Sequence, residues 1–492
     1  MPGTNQNDFT GSKVTDLEIN KCLIVSKGKT LDFKQAVVEF NYYEDMFGNF
    51  TSMSLMLVDS SGRHNDMSWS GDEYLLFEAN KPGVEGIPGA TPLKGKFRFF
   101  KTDGRGLTND DNENMILNCV SEDAYLSERM KISKSYKQKR ISEIVKDIAI
   151  NFLQIPANEF PDANIEKTMG LHDIVIPLWK PLEAINWLCT RAISDKHGPD
   201  SGAFYLFWKN RDGYQFRSVL SLYEDQAAIE RFQYTNPIAK AQIGGASSGY
   251  WYGIKNADYI GEVPWDPYEQ IISHQPLDTF DTFELNQRGG FSNRTLSLDY
   301  IKRTHENIDF QYSKYWEWLN GNILMYKDDY YNNKPIMDTT PDKFGRRHDD
   351  YKDSTIKIHP AKGDNLEKAV PYRYAQLALI GHNRLKMLIP GDPYISVGRI
   401  IYIHMPQTAK DANGEKLYDR FLSGYYIVSA LRHKMDQENN FETTLEVVKD
   451  SYTGRKEQYE GKAGLVSGAD NVDSGGSNDI LSQLTKGWNG WD

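Results

Sequence analysis

Apolar and polar residues alternate in short runs along the first part of the chain. Met53, Leu55 and Leu57 form one such run, which ends at a turn of small polar residues over 59–62. Alternation with a period of two is typical of a strand with one buried face, and several short strands at close spacing favour a barrel or a sandwich. The pattern therefore predicts an all-β domain over residues 1–122, which begins with a loose polar arm.

After residue 122 the apolar spacing becomes helical. The apolar residues between Ile141 and Phe152 fall on one face of a helix. A β-branched run at 174–176 predicts a strand that Pro177 is expected to end, and Pro181 is suited to the first turn of the next helix. Asp212-Gly213 predicts a hairpin between two aromatic strands. Residues 123–223 are therefore predicted to form an α/β domain.

The β pattern returns near the C-terminus, with strands expected at 385–389, 399–404, 424–431 and 441–448. Before it lies a long stretch rich in Tyr, Trp, Asp and Asn, too long to be a single loop of a compact domain. The fold class expected is mainly β with α+β parts. The predicted domains are a first β-barrel (1–122), an α/β domain (123–223), a second β-barrel (224–245 with 354–452), an inserted aromatic-rich domain (246–353) and a flexible tail (453–492).

The two β regions share a short sequence echo. GDEYL at 71–75 is matched by GDPYI at 391–395, and Val120-Ser121 by Val428-Ser429. Such short matches arise from duplication of a domain or from chance, and the sequence alone does not distinguish these two origins.

The tail combines a linker with an apolar end. Residues 461–478 have the glycine- and serine-rich composition of a flexible linker. The last residues place apolar side chains at helical spacing on a segment too short to fold alone, which predicts a docking peptide for a partner groove, or alternatively a frayed terminus. The candidate docking residues are Ile480, Leu481, Leu484 and Trp488.

Composition narrows the classes of function. The chain of 492 residues is 39% hydrophobic and 12% aromatic, which is enough for several packed cores. A net charge of −11 argues against a protein that grips nucleic acid through a basic surface, although it is compatible with a channel through which DNA slides. The three cysteines form no CxxC pair, so neither a disulfide framework nor a zinc site is expected. The N-terminus lacks a signal peptide pattern, no apolar run is long enough to span a membrane, and assembly in a cytoplasm is expected.

The sequence offers no convincing catalytic constellation. GASSG at 245–249 fits the GxSxG pattern around Ser247, but no strand precedes it and no helix pattern follows. The ten histidines are scattered, and the acidic run at 110–113 lacks the ligand spacing of a calcium loop. We therefore expect no enzyme activity, no cofactor and no metal.

One rival hypothesis concerns the aromatic stretch. Trp251, Trp265, Trp316 and Trp318 lie near acidic residues and are compatible with a cleft that binds or hydrolyses a glycan. Aromatic residues at this density more often fill a small core or make protein contacts.

Several segments resemble one protein family. PLWKPLEAINWLCTRA (177–192) with its aromatic hairpin resembles the α/β domain of the central baseplate hub proteins of contractile-tailed bacteriophages, a hub family shared with type VI secretion spike proteins. The segments at 385–406, 420–435 and 439–452 resemble the tube-type β-barrel of that family, and SNRTLSLDY (292–300) is a weaker match.

The resemblance implies a structural protein of the virion tail baseplate. It implies a homotrimer in which two related barrels per subunit make a ring of six modules, with a channel for DNA passage. Its expected partners are the hexameric tail tube, a trimeric spike and other baseplate proteins. A secretion spike would carry a repetitive β-helix after Tyr452, so any spike is expected to be a separate polypeptide. The alternative from another class is a glycan-binding or glycan-hydrolysing tail component.

Overall fold

This computed structural model is mainly antiparallel β, and helices alternate with groups of strands along the chain. The structure describes residues 17–60, 62–67, 69, 71–81, 92–109, 112–229, 253–256, 270–279, 281–323, 332–337, 341, 343–347, 349–350, 355–360, 366–410, 416–419, 421–438 and 440–453.

The first β unit consists of a strip of strands that curls on itself. Its strands are β1 (Glu18–Ser26), β2 (Lys29–Asp32), β3 (Val37–Asp45), β4 (Ser52–Asp59), β5 (Tyr74–Asn80), β6 (Leu93–Asn109) and β7 (Asn112–Ser121). They pair in the order β3-β4-β7-β6-β5-β1-β2. Phe40 on β3 and Phe77 on β5 are separated by three strands in this order, yet their ring centroids lie 5.1 Å apart. The strip must therefore be strongly curved around a shared core.

The α/β unit follows directly. Its elements are α1 (Glu122–Arg129), β8 (Ile132–Lys139), α2 (Ile141–Asn151), β9 (His172–Trp179), α3 (Pro181–Cys189), β10 (Tyr205–Asn210), β11 (Gly213–Ser218) and α4 (Val219–Ile229). The helix expected to begin at Pro181 and the hairpin expected at Asp212-Gly213 are both confirmed. Leu182, Ile185 and Leu188 of α3 are buried.

The prediction that Pro177 ends its strand is wrong. β9 continues to Trp179, and Pro177 lies opposite Ser133 in the ladder with β8. β9 has β8 as its partner in a two-stranded sheet, so its other edge has no ladder with any described strand, and proline is tolerated at such an edge.

The rest of the described chain builds a second β unit around an inserted unit. In chain order its elements are β12 (Gly253–Asn256), β13 (Gln270–Ile271), β14 (Ser273–Thr279), α5 (Thr282–Arg288), β15 (Ser292–Asp299), β16 (Thr304–Gln311), α6 (Tyr312–Asn322), β17 (Asn332–Lys334), β18 (Ile356–Pro360), α7 (Leu366–Ile380), β19 (Asn383–Pro390), β20 (Ile400–His404), β21 (Pro406–Lys410), β22 (Lys416–Tyr418), β23 (Gly424–Met435), β24 (Phe441–Lys449) and β25 (Tyr452–Thr453). The four strands expected between 385 and 448 are all present.

The structure corrects the predicted bounds of the insert. Strands β12–β14 fall within the predicted 246–353 insert but pair with β20 and β19 of the second β unit. Conversely, β18 and α7, placed after the insert by the prediction, pack with the three-stranded sheet β16-β15-β18. The inserted unit therefore spans α5 to α7. Aromatic composition marked the region but could not show which strands pair.

The two β units and the inserted unit share one hydrophobic core. A single cluster of buried side chains runs from Phe40 and Leu117 through Tyr315 to Ile427 and Leu445. The α/β unit has a separate core around Ile148, Ile185, Tyr205 and Phe216. The second β unit is thus packed against the first.

Candidate functional site: the junction of the two β units

The strands of the two β units are arranged in the same order. In the first unit the order is β3-β4-β7-β6-β5-β1, and in the second it is β14-β19-β24-β23-β20-β12. We number the strands of each series along the chain, which leaves out β2 and β13. Strands at the same position in the two series then have the same number, and we call them counterparts. One pairing differs, because β1 and β5 are antiparallel whereas β12 and β20 are parallel.

In the second unit the strand pairings form a closed circuit. β13, which leads through Ile272 into β14, pairs with β12, and the Ile272 N–H donates to the Leu388 carbonyl at 2.8 Å. The series β12-β20-β23-β24-β19-β14 is therefore closed through the β13–β14 segment.

β23 joins the two units. Its first residues, Gly424–Ile427, pair with β20, whereas Ala430–Met435 leave β20 and pair with Phe40–Asp45 of β3. The side chain of Arg432 donates to Asn41 Oδ1 across this boundary. We call these paired segments of β23 and β3 the junction. It makes one continuous sheet from strands of both units.

The outward face of the joined sheet carries ion pairs of opposite charge. Lys101 and Asp103 on β6 are 2.9 Å apart, and Arg384 on β19 pairs with Glu446 on β24 at 2.8 Å. Between these pairs lie small polar side chains such as Ser54 on β4. A face of this kind has little net attraction for a polyanion.

A loop of the second unit fits between the first β unit and the α/β unit. We call residues 391–399 the bridging loop. The Val397 N–H donates to Glu44 on β3 at 3.0 Å, and the Val397 carbonyl accepts from Asn210 of the α/β hairpin at 2.9 Å. Tyr394 donates its hydroxyl proton to Asn80 on β5 at 2.9 Å. Each of these three hydrogen bonds joins the loop to another unit, and together they fix the mutual orientation of the units.

Gly398 packs directly on the α/β hairpin. Its φ is +85°, and a Cβ atom there would lie 2.7 Å from Cζ2 of Trp208. Glycine meets both demands, because it tolerates positive φ and leaves room for the indole.

Buried polar groups accompany the junction. Burial raises the pKa of Glu44 to about 7, although its carboxylate accepts hydrogen bonds from Val397 and from the Tyr42 hydroxyl. Burial, and then the nearby Arg211, lower the pKa of His433 to about 3, so this histidine is neutral at ordinary pH. Its Nδ1 lies 2.9 Å from the Thr443 hydroxyl. These groups serve packing and orientation.

Two arginines meet one carboxylate beside the bridging loop. Arg211, whose side chain is 5% exposed, lies 3.1 Å from Asp212, and Arg399 lies 2.6 Å from the same carboxylate. Burial raises the pKa of Asp212, but the two guanidinium groups outweigh this effect and hold it below its ordinary value. Arg211 also donates to the Pro393 carbonyl at 3.2 Å.

The candidate docking residues Ile480, Leu481, Leu484 and Trp488 lie outside the described residues, as do Ser247, Trp251 and Trp265. Trp316 and Trp318 lie on α6, where Trp316 is buried and Trp318 stacks on Tyr315 with centroids 6.0 Å apart. These two tryptophans pack in or against the core.

The described ranges hold no cluster typical of a metal site. There, no three His, Cys, Asp or Glu side chains come together as a metal centre requires. Cys22, Cys119 and Cys189 are buried thiols. None of the described helices is long and apolar enough to cross a bilayer.

Sequence reasoning missed the junction and the residues around it. Glu44 lies in a strand whose sequence gives no sign of a special role. Val397 contributes only its backbone N–H and carbonyl to these contacts, which a side-chain pattern cannot reveal. One indication was present, because GDPYI belongs to the bridging loop and GDEYL leads into β5, which is the counterpart of β20. That part of the echo matches the shared strand order. Val120-Ser121 and Val428-Ser429 lie on strands that are not counterparts.

Comparison with known proteins gave structural matches and no sequence matches. No family model matches the chain, and no curated protein does. A tail protein from Neisseria meningitidis aligns at 11% identity over 88% of this chain and 98% of its own, with a TM-score of 0.46. The 43 kDa tail protein of prophage MuSo2 from Shewanella oneidensis aligns at 9% identity over 88% of this chain and 99% of its own, also at 0.46.

A third match is a component of the type VI secretion system from E. coli. It aligns at 9% identity over 89% of this chain and 77% of its own, with a TM-score of 0.36. These three solved structures are two tail proteins and one type VI secretion component.

Proposed function

We propose that this protein is the homotrimeric central hub of a phage tail baseplate. The observation that carries the proposal is the junction: two β units of equivalent strand order are hydrogen-bonded side by side in one chain. We infer that they are two related barrels. Three copies then supply six similar modules.

Symmetry explains why such a chain suits an adaptor. A closed ring of three copies has three-fold symmetry, but six similar modules approximate six-fold symmetry on one face. That face fits a hexameric tail tube, while the other face remains three-fold and fits a trimeric spike. No separate adaptor chain is required.

The outward sheet face supports a passage for DNA. Lys101 on β6 and Arg384 on β19 are each paired with a carboxylate, so these two cations are neutralised and would hold phosphates weakly. We propose that this face lines the channel of the ring. The C-terminal residues Ile480, Leu481, Leu484 and Trp488 are proposed to dock on the spike or another baseplate protein.

Electron microscopy of the purified protein tests the proposal. Averaged end-on images are expected to show a ring with six lobes and an open centre. Images of single compact particles, or of a ring with a filled centre, would contradict it. Incubation with peptidoglycan or polysaccharide, followed by assay for release or retention, distinguishes the glycan alternative.

A further inference from the structure

The correspondence between the two β units extends to single residues. The last β6 residue paired with β5 is Arg98, opposite Tyr74, and the last β23 residue paired with β20 is Ile427, opposite Ile400. Two residues later each strand shifts register against its other neighbour, at Phe100 in β6 and at Ser429 in β23. The two ladders therefore correspond residue by residue on both sides of a shared bulge, as far as Asp103 in β6 and Arg432 in β23.

The shared bulge identifies the counterparts of the junction. After its bulge, β23 leaves β20 and pairs with β3. By the same correspondence β6 leaves β5 after residue 98, and β14 is the counterpart of β3. Within one chain, however, β6 beyond residue 98 has its ladder with β7, and β14 has its ladder with β19. Each of these segments has one edge to which the described strands add no ladder.

Exposure distinguishes the two counterparts. On β3 the residues in the junction include the buried Phe40, Tyr42 and Glu44. On β14 every residue from Ser273 to Leu277 is exposed, although β14 has the equivalent place in its unit. Ile272 and Leu277 are large apolar side chains left 48% and 37% exposed. A strand exposed on both faces with a free edge is a template for pairing with another chain.

We propose that β6 of one copy pairs antiparallel with β14 of the next copy and thereby repeats the junction between subunits. The inference rests on the proposed trimer and names the surfaces that close it. Each chain would contribute one internal junction and one such contact, so a closed trimer would hold six equivalent junctions. The occupant is a second copy, because the strand that covers β3 is the counterpart of β6.

The register follows from the ladders on either side. In the junction Lys434 lies opposite Asn41. The counterpart of Asn41 is Gln275, and that of Lys434 is Gly106, once the extra residue that β6 carries between Asp103 and Gly106 is allowed for. Gly106 of one copy is therefore expected opposite Gln275 of the next.

Side-chain chemistry is compatible with this register. Across the junction Arg432 donates to Asn41; at the counterpart positions, Asp103 is an acceptor and Gln275 a donor. Pro276 is the counterpart of Tyr42 and supplies a carbonyl but no N–H, so the contact between copies has one backbone donor fewer.

Disulfide trapping of the native-length protein tests the register. Opposed residues of an antiparallel pair have Cα atoms about 4.5–5.5 Å apart, within the range that a disulfide spans. A Cβ atom at Gly106 makes only an ordinary contact with Asn114, and Gln275 is exposed, so both positions accept cysteine. We expect Gly106→Cys/Gln275→Cys to give covalent dimers and trimers under mild oxidation.

Matched variants complete the test. Each single substitution should give no ladder of covalent oligomers, and Gly106→Cys with Ser273→Cys, displaced by two residues, should give only a minor fraction. Asn41→Cys/Lys434→Cys should close within one chain and stay monomeric on a denaturing gel. The native cysteines are buried and do not compete.

The outcomes separate this inference from the proposed function. Trapped oligomers in the stated register support both. A native mass of three copies without trapping, while the Asn41/Lys434 control closes, overturns the β6–β14 contact and leaves the trimer standing. A monomeric mass overturns both. Hydrogen exchange on the unmodified protein adds an independent check on the β14 amides that face away from β19. Slow exchange of those amides supports the pairing, and fast exchange contradicts it.

Discussion

Glu44 illustrates how a single residue links the units and makes their contact sensitive to pH. Its carboxyl is buried on β3 and accepts the Val397 N–H, with Tyr42, Arg211 and Asp212 as its charged or polar neighbours. Its pKa in the folded chain is about 7, compared with an ordinary value of 4.5. The folded state therefore retains the proton to a higher pH than the unfolded chain does.

The stability contributed by this proton is complete below about pH 4.5 and is lost as the pH rises towards 7. We expect Glu44→Gln to remove that loss. Relative to the native protein, its free energy of unfolding should rise by up to about 1.4 kcal/mol per pH unit between about pH 5 and 7. Urea unfolding at constant protein concentration measures this. Glu183→Gln, on an exposed position of α3, is the control; an unchanged slope for Glu44→Gln would refute the assignment.

Gly398 tests the fit between the bridging loop and the α/β hairpin. We expect Gly398→Ala to destabilise the protein by about 1–3 kcal/mol from the clash with Trp208, in addition to the strain of positive φ. Gly71→Ala is a matched control, because φ there is +88° and a Cβ atom would meet nothing within 4 Å. Equal shifts in the denaturation midpoints of the two variants would show that the close approach to Trp208 has no energetic effect.

Among the elements, those with local signals were predicted best. Pro181 marks the start of α3, and Asp212-Gly213 marks the β10–β11 hairpin, because helix N-termini and tight turns depend on nearby residues. The strand at 174–176 was predicted too short, since proline on an edge strand does not interrupt a ladder.

The sequence could not predict which distant strands pair with each other. The alternation in β23 shows that it is a strand, but its divided partnership with β20 and β3 depends on where other segments come to lie. The same limitation displaced the insert boundary, because β12–β14 look no more like barrel strands than like part of the aromatic stretch. Long-range pairing is set by tertiary packing.

Asp212 connects the β10–β11 hairpin to the bridging loop, because its carboxylate pairs with Arg211 of the hairpin and with Arg399 of the loop. Asp212→Ala removes the carboxylate that faces Arg211 and Arg399, and Arg211 is almost fully buried. We expect a loss of roughly 2–3 kcal/mol in unfolding free energy, because a buried charge loses a charged partner. Asp162→Ala, which breaks the exposed Lys146–Asp162 pair, should cost less than about 1 kcal/mol. Similar losses in both variants would contradict this role of Asp212.

At the scale of the whole molecule, the main feature is the repetition of one β unit. Two units with equivalent strand order sit side by side in one chain, and the described strands add no ladder to one edge of β14 or to one edge of β6 beyond residue 98. A single copy has both a β6 edge and a β14 edge to offer, so copies joined in this way must either close into a ring or extend into a filament.

The measurement that tests the central claim most directly is the native mass of the purified protein in solution, by analytical ultracentrifugation or native mass spectrometry. We predict a closed species of three times the 56.4 kDa chain, independent of concentration over the measured range. A single species of 56.4 kDa at every concentration would contradict the hub and the ring together.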